Sequence, residues 1–437
     1  MKITKLSLIA AMLIGSSAFA IENTKVSGDA KLYYGTMDSD TGTYIGNDTS
    51  LFDGEGSYGD IAVDLELTTD LTKGVSAGVK ATYISTIGLE NNLVDNTWSN
   101  SHGITQNPNA AFGESLGLGG LQLDDQMWVG EAWIAGTAFD TTLKIGRQAL
   151  DTPLAFTETW GIDANTFEAA VLINQSIPDT TLIATYIGKS NGSADDLTAI
   201  TLNNVGGSQA GYVSYGGKFN TFGSKGVYVA GLINNSYKPL TVQAWYYSLQ
   251  SLADAYWLQA DVKCSLVEGL MLGAQYTEID VDTATDKDEA YSFMLGYEAK
   301  DVVTVKAAYS SVDDKGAIGV GNVAVGNRTG FGNSNQTKLY TEMWWAYGSV
   351  SATGADSYSL SAEGSLAGVD LFAAYYVADI NPTAAIDTEI TEIALTASKS
   401  FGPLDTSLAL LFDNTDDKVA NTDTDVTTLQ VYLTYNF

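Results

Sequence analysis

Alternation of apolar and polar residues over segments of about ten positions constrains this chain more than any other feature. A strand with an apolar side chain at every second position has one apolar and one wet face. In the first such segment, Val26, Gly28, Ala30, Leu32 and Tyr34 share a face, while Ser27, Asp29, Lys31 and Tyr33 share the other. The next sets Ile61, Val63, Leu65 and Leu67 against Asp60, Asp64, Glu66 and Thr68, turns through 70–74, and returns with Val75, Ala77, Val79, Ala81 and Tyr83. Val303, Val305, Ala307 and Tyr309 repeat the pattern, as do Val369, Leu371, Ala373, Tyr375 and Val377. Almost no segment has a helical repeat, so the chain reads as all-β.

A soluble sandwich also alternates, so strand length and the asymmetry of the connections decide between architectures. Short turns at 137–140, 175–179, 234–239, 263–269, 299–301, 365–368 and 400–403 alternate with longer connections rich in Gly, Asn, Asp and Ser. That asymmetry predicts a transmembrane antiparallel up-and-down β-barrel of about 18 strands, with about eight short periplasmic turns and about nine long extracellular loops. Residues 210–220 and 339–350 are assigned to long loops. Tyr34, Tyr83, Tyr276, Tyr297, Tyr309 and Tyr375 sit near strand ends and suit interfacial girdles, with the ring in lipid and the hydroxyl among headgroups. Leu429, Val431, Leu433, Tyr435 and Phe437 form one face of the last strand, which is expected to pair with residues 26–36 and close the barrel. An aromatic at the end of such a strand resembles the signature read by the outer-membrane barrel-assembly machinery.

Lys2 and Lys5 precede the apolar run from Leu6 to Ile14 and the small-residue site Ala18-Phe19-Ala20, the pattern of a cleaved signal peptide. The expected organisation is a signal peptide over 1–20 and one barrel over 21–437, exported to a bacterial outer membrane. After residue 20 no stretch is long and apolar enough for a membrane helix. The single cysteine, Cys264, allows no intrachain disulfide. The formal charge of −31, with 21 Lys and Arg against 52 Asp and Glu, excludes nucleic acid as a sensible partner and favours cations.

Leu143-Lys144-Ile145-Gly146-Arg147-Gln148-Ala149-Leu150-Asp151-Thr152-Pro153, followed by Thr166-Phe167-Glu168 and the hairpin at 171–187, resembles the OprD family of outer-membrane porins. The resemblance implies passive diffusion of ions and small hydrophilic solutes, and homotrimers. It also implies that residues 151–166 fold into the barrel and narrow the pore, with Asp151, Glu158 and Asp163 supplying negative charge. Strict alternation sets Arg147 beside Leu143 and Ile145 on the lipid face, unless a bulge at Gly146 turns it inward. Relatives that select carboxylates line the pore with arginines, whereas Arg147 and Arg328 are the only arginines here.

The pore-lining candidates are Asp60, Asp64, Glu66, Lys80, Lys144, Arg147, Gln148 and Lys306. By alternation the lumen also receives Asp29, Asp261, Glu298, Glu363, Asp370 and Glu392, offset by Lys31. Acid exceeds base, so the expected pore prefers cations. His102, the lone histidine, falls in a long loop with no triad geometry, and no catalytic residue or cofactor is expected. Acid clusters at Asp280, Asp282, Asp286 and Asp288, at Asp413, Asp416 and Asp417, and at Asp423 and Asp425 are placed in outer loops beside lipopolysaccharide. They lack the spacing of a Ca²⁺ loop, which leaves a defined Ca²⁺ site as a minor alternative. The alternative to a porin is a structural or adhesive surface barrel.

Overall fold

The computed structural model describes residues 22–39, 48–54, 56–85, 125–159, 162–192, 213, 215–221, 225–323 and 336–437. The signal segment, His102 and Arg328 lie outside the described residues. The wall begins with β1 (Glu22–Ser39), β2 (Ser57–Thr72), β3 (Val75–Ser85), β4 (Gln126–Ala138), β5 (Thr141–Gln148), β6 (Phe167–Asn174) and β7 (Thr180–Ser190). After the two-residue β8 (Asn220–Thr221) come β9 (Val227–Asn234), β10 (Leu240–Leu249), β11 (Ala253–Lys263), β12 (Leu270–Val281) and β13 (Asp288–Ala299). The remainder are β14 (Val303–Val312), β15 (Ala355–Leu366), β16 (Val369–Thr383), β17 (Ile386–Phe401), β18 (Leu404–Asp417) and β19 (Thr422–Asn436).

Every neighbour pair is antiparallel, and β8 is a spur on the end of β7, so β9 pairs directly with β7 and eighteen strands form the wall. The ring closes where β19 pairs with β1, from Asp29 opposite Asn436 to Ser39 opposite Val426. Phe437 exchanges two backbone hydrogen bonds with Gly28, each 2.9 Å. Gly28 is needed there, because a Cβ would run into the Asp64 carbonyl and the Phe437 ring. Closure satisfies the backbone groups that an edge would leave bare in lipid.

Strand register separates the two faces. Ile134, Leu143, Ile145, Leu172, Leu232, Leu295, Leu371, Leu395 and Leu408 are exposed on the outside, as an apolar belt requires. Exposed and half-buried tyrosines crown this belt and bond carboxylates just above it: Tyr246 to Asp254 at 2.9 Å, Tyr276 to Glu278 at 3.1 Å and the half-buried Tyr309 to Asp356 at 2.9 Å.

Two expectations about the outer rim need correction. The connections at 250–252, 384–385 and 418–421 are tight turns rather than long loops. The acids Asp413, Asp416, Asp417, Asp423 and Asp425 belong to β18 and β19, and Asp288 begins β13. Of these, Asp413 faces Glu392 inside the wall, and Asp288 is buried, accepting from the Ile318 N–H at 2.9 Å and the Gly319 N–H at 2.6 Å. Asp416, Asp417, Asp423 and Asp425 sit where β18 and β19 run beyond the tyrosine row as a hairpin that pairs its own backbone. Asn414, for instance, donates to Asp423 at 2.6 Å and to Asp425 at 3.0 Å across the β18–β19 ladder.

Candidate functional site

Among the described residues, the interior is defined by the inward face of the strands and by connections that run against it, two of which are described over most of their length. Val213 of the β7–β9 connection is also buried there, against Tyr33, Ile84 and Trp128. The first, residues 149–166, leaves β5 after Gln148, whose Nε2 donates to the Ala169 carbonyl at 3.1 Å. Thr152 closes a tight turn by donating to the Ala155 carbonyl at 2.7 Å, and the Leu154 N–H reaches the Tyr247 hydroxyl on β10 at 3.2 Å. Leu150, Leu154 and Ala155 are buried with Phe167, Ile187, Val227, Val229 and Tyr247, all inward-facing. Burial of these apolar groups, at about 25 cal/mol per Å², is what holds the segment inside.

The same segment then meets the charged wall of β1 to β3. Lys31 pairs with Asp29 at 3.2 Å and Asp64 at 2.8 Å, while Lys80 pairs with Asp64 at 3.0 Å and lies 3.8 Å from Asp163. Thr166 Oγ1 donates to the Gly130 carbonyl at 2.8 Å and returns the chain to β6. Among the acids expected on this segment, Asp163 therefore joins Asp64 and Lys80, and Glu158 accepts from Asn322 at 3.1 Å. Asp151 is 84% exposed and pairs with Lys338 at 2.9 Å.

The second connection, described at 313–323 and 336–354, was not recognised from the sequence as an interior element. Asn322 binds both backbone groups of Phe156, and Val323 donates to the Leu154 carbonyl at 2.9 Å, which ties the two connections together. Further on, Tyr340 reaches Asp261 on β11, and its N–H reaches Gln275 on β12 at 3.2 Å. The amides of Trp344, Trp345 and Ala346 converge on the buried Glu392 carboxylate of β17 at 2.7, 2.8 and 2.8 Å. Trp344 Nε1 extends to Gln430 on β19 at 3.4 Å. The segment thus reaches from β11 and β12 to β17 and β19.

The remaining candidates divide by depth. Glu66, Lys144 and Lys306 are partly exposed on the inner face, Lys306 pairing with Glu363 at 2.9 Å and Lys144 lying 4.3 Å from the Trp133 ring centre. Asp60, Asp64 and Gln148 face inward but are buried.

Arg147 is a correction. Gly146 takes φ +131° without shifting register, so Ile145, Gly146 and Arg147 pair in order with Ala170, Ala169 and Glu168. Alternation therefore continues and Arg147 stays outside. It pairs with Glu168 at 3.1 Å, donates to the Val129 carbonyl at 3.0 Å, and lies 4.2 Å from the Phe219 ring centre.

Two loop carboxyls are shifted upward. Burial, and then Asp64, push Asp163 up to about 6, while burial, and then Glu158, push Glu342 up to about 8. One Glu342 oxygen is enclosed without a hydrogen-bond partner. A carboxyl raised in the docked state contributes its stability below its ordinary value, about 4.3, and loses it as pH rises through the docked value. Open-channel noise is therefore expected to grow between pH 6 and 9, and Glu342→Gln should flatten that profile. An identical profile in the variant would assign the change elsewhere. Among the described residues no three metal-ligating side chains converge.

The family profile described as Gram-negative porin matches residues 7–344. No curated protein sequence matches the chain. Among solved structures, OccK9 (OpdG) of Pseudomonas aeruginosa superimposes with a TM-score of 0.68 at 14% identity, covering 95% of this chain and 99% of that one. OccK8 (OprE) gives 0.65 at 14% identity over 95% and 98%. OpdK, solved with vanillate, gives 0.66 at 13% identity over 95% and 99%. These Occ and OprD-type barrels share the fold that the GRQ and TFE motifs pointed to. The matched profile spans most of the chain and the wall closes on itself, so this protein belongs to the Gram-negative porin family of outer-membrane channels.

Proposed function

We propose that this porin passes cations and small hydrophilic solutes passively, and that residues 151–166 set its narrowest point. The observation that carries the reading is the imbalance on the inner face. Lys31, Lys80 and Lys306 are each tied to carboxylates, and Lys144 is a further inward lysine of the wall. By contrast, Asp261, Glu298 and Asp370 occupy inward positions with no lysine or arginine directly opposite, and Glu66 adds a carboxylate opposite Lys80. Fixed carboxylates around a pore concentrate cations and repel anions.

Under a tenfold KCl gradient across a planar bilayer, the zero-current potential is expected to carry the sign of K⁺ permeation. The combined variant Glu66→Gln, Glu298→Gln and Asp370→Asn should move it toward zero. Chloride preference in the unmodified protein would overturn the reading. Single-channel conductance separates it from a structural or adhesive barrel, which would conduct little. Homotrimeric assembly rests on the family resemblance alone, and native electrophoresis of unheated protein tests it.

A further inference from the structure

The inner wall of β6, β7, β9 and β10 departs from the polar lining usual in water-filled barrels. Its inward positions include Val171, Ile173, Ile183, Ile233 and Trp245, interrupted by Thr185 and Gln243, while Leu172, Leu182 and Leu232 between them face lipid, so this stretch is largely apolar on both sides. Register makes the inward set contiguous: Ile173 lies opposite Ile183, Ile183 opposite Gly231, and Gly231 opposite Trp245. The Trp245 ring rests over Gly231 so closely that a Cβ there would strike it.

The extracellular end of this stripe is covered by Leu150, Leu154 and Ala155 of the first inward connection. Toward the periplasm, Val171, Ile173, Ile183 and Ile233 keep partial exposure. The two edges of the stripe differ in charge. Asp261 lies beyond it on β11, opposite Thr241 of β10, whereas on the other side Lys144 of β5 stands directly opposite Val171, with Glu131 of β4 and its partner Lys80 further out. Nearby, Lys144 already sets an ammonium over the Trp133 ring, so this wall accommodates a cation against an aromatic face.

We infer that the apolar stripe beneath the first inward connection is a sliding surface for small amphipathic cations, compounds with an ammonium group and an aromatic or branched apolar body. The ammonium follows the Asp261 edge, away from Lys144, while the apolar body is partly desolvated against Ile173, Ile183 and Ile233 and, at the far edge, Val171. This inference rests on the cation preference proposed above, so the experiment separates the two.

The probes are phenethylammonium, ethylammonium and phenylacetate, added to single channels of the full protein in a planar bilayer. Covering about 50 Å² of ring should lengthen current blocks by phenethylammonium about tenfold over those by ethylammonium. The variant Val171→Thr, Ile173→Asn, Ile183→Asn and Ile233→Asn should bring that ratio close to one and leave the K⁺ to Cl⁻ permeability ratio unchanged. Equal block times for the two ammonium ions in the unmodified protein overturn the inference, and that comparison needs no variant to fold. Longer blocks by phenylacetate than by phenethylammonium also overturn it. The K⁺ to Cl⁻ ratio then shows whether the cation preference failed with it or stands alone.

Discussion

Removing residues 431–437 is expected to abolish membrane insertion, so that the protein remains in the protease-sensitive, unheated-equals-heated form on electrophoresis. The deleted segment pairs on one side with Asp29 to Tyr34 of β1 and on the other with Leu404 to Leu408 of β18. Without it, both strands present unpaired N–H and C=O groups to hydrocarbon, at several kcal/mol each. The outward row Val431, Leu433, Tyr435 and Phe437 is lost with them, but replacing those four side chains by alanine leaves the backbone ladder intact. That second variant should therefore insert with reduced yield, and normal insertion of the truncated chain would refute closure by this strand.

Glu392→Leu is expected to release the second inward connection while the barrel itself stays folded. The three backbone amides of Trp344 to Ala346 lose a buried, charged acceptor, and hydrogen bonds to charged groups contribute about 1.5–3 kcal/mol each. Asp413 faces Glu392 directly across the β17–β18 ladder, so relief of carboxylate crowding offsets part of that loss. A net change of about 3 kcal/mol corresponds to roughly a hundredfold shift toward the undocked state. Amide exchange at Trp344 to Ala346 should accelerate by that order, and single-channel conductance should rise. Glu392→Gln, which keeps one acceptor oxygen, should fall between. Unchanged exchange and conductance in Glu392→Leu would show that Gln275, Asp261 and Gln430 suffice to hold the segment.

Much of the barrel was legible because strand alternation is a local property with a direct physical meaning in lipid. Val26 to Tyr34, the hairpin from Ile61 to Tyr83, and the last strand all show their outward faces in one-dimensional order, and the wall places them accordingly. The rim was less legible. Asp416 and Asp417 read as loop residues because carboxylates are costly in a membrane, yet a strand that continues into water carries them without penalty. Arg147 shows the opposite case, in which alternation placed it outside and the structure keeps it there, paired with Glu168.

The interior was the least legible part. Glu392 reads as one more pore-lining carboxylate, and only the approach of Trp344, Trp345 and Ala346, 46 to 48 residues away, turns it into an anchor. Lys80 and Asp64 likewise read as exposed lining until Asp163 comes down on them from the first inward connection. By itself, the sequence determined the all-β class, the alternating faces, the closing strand and the acidic balance, because each depends on neighbours within a strand or on composition. Tertiary structure alone decided which carboxylates face open water and which accept backbone amides, and that, among the described residues, more than one connection enters the lumen. Those outcomes depend on contacts between distant segments, whose partners no local periodicity encodes.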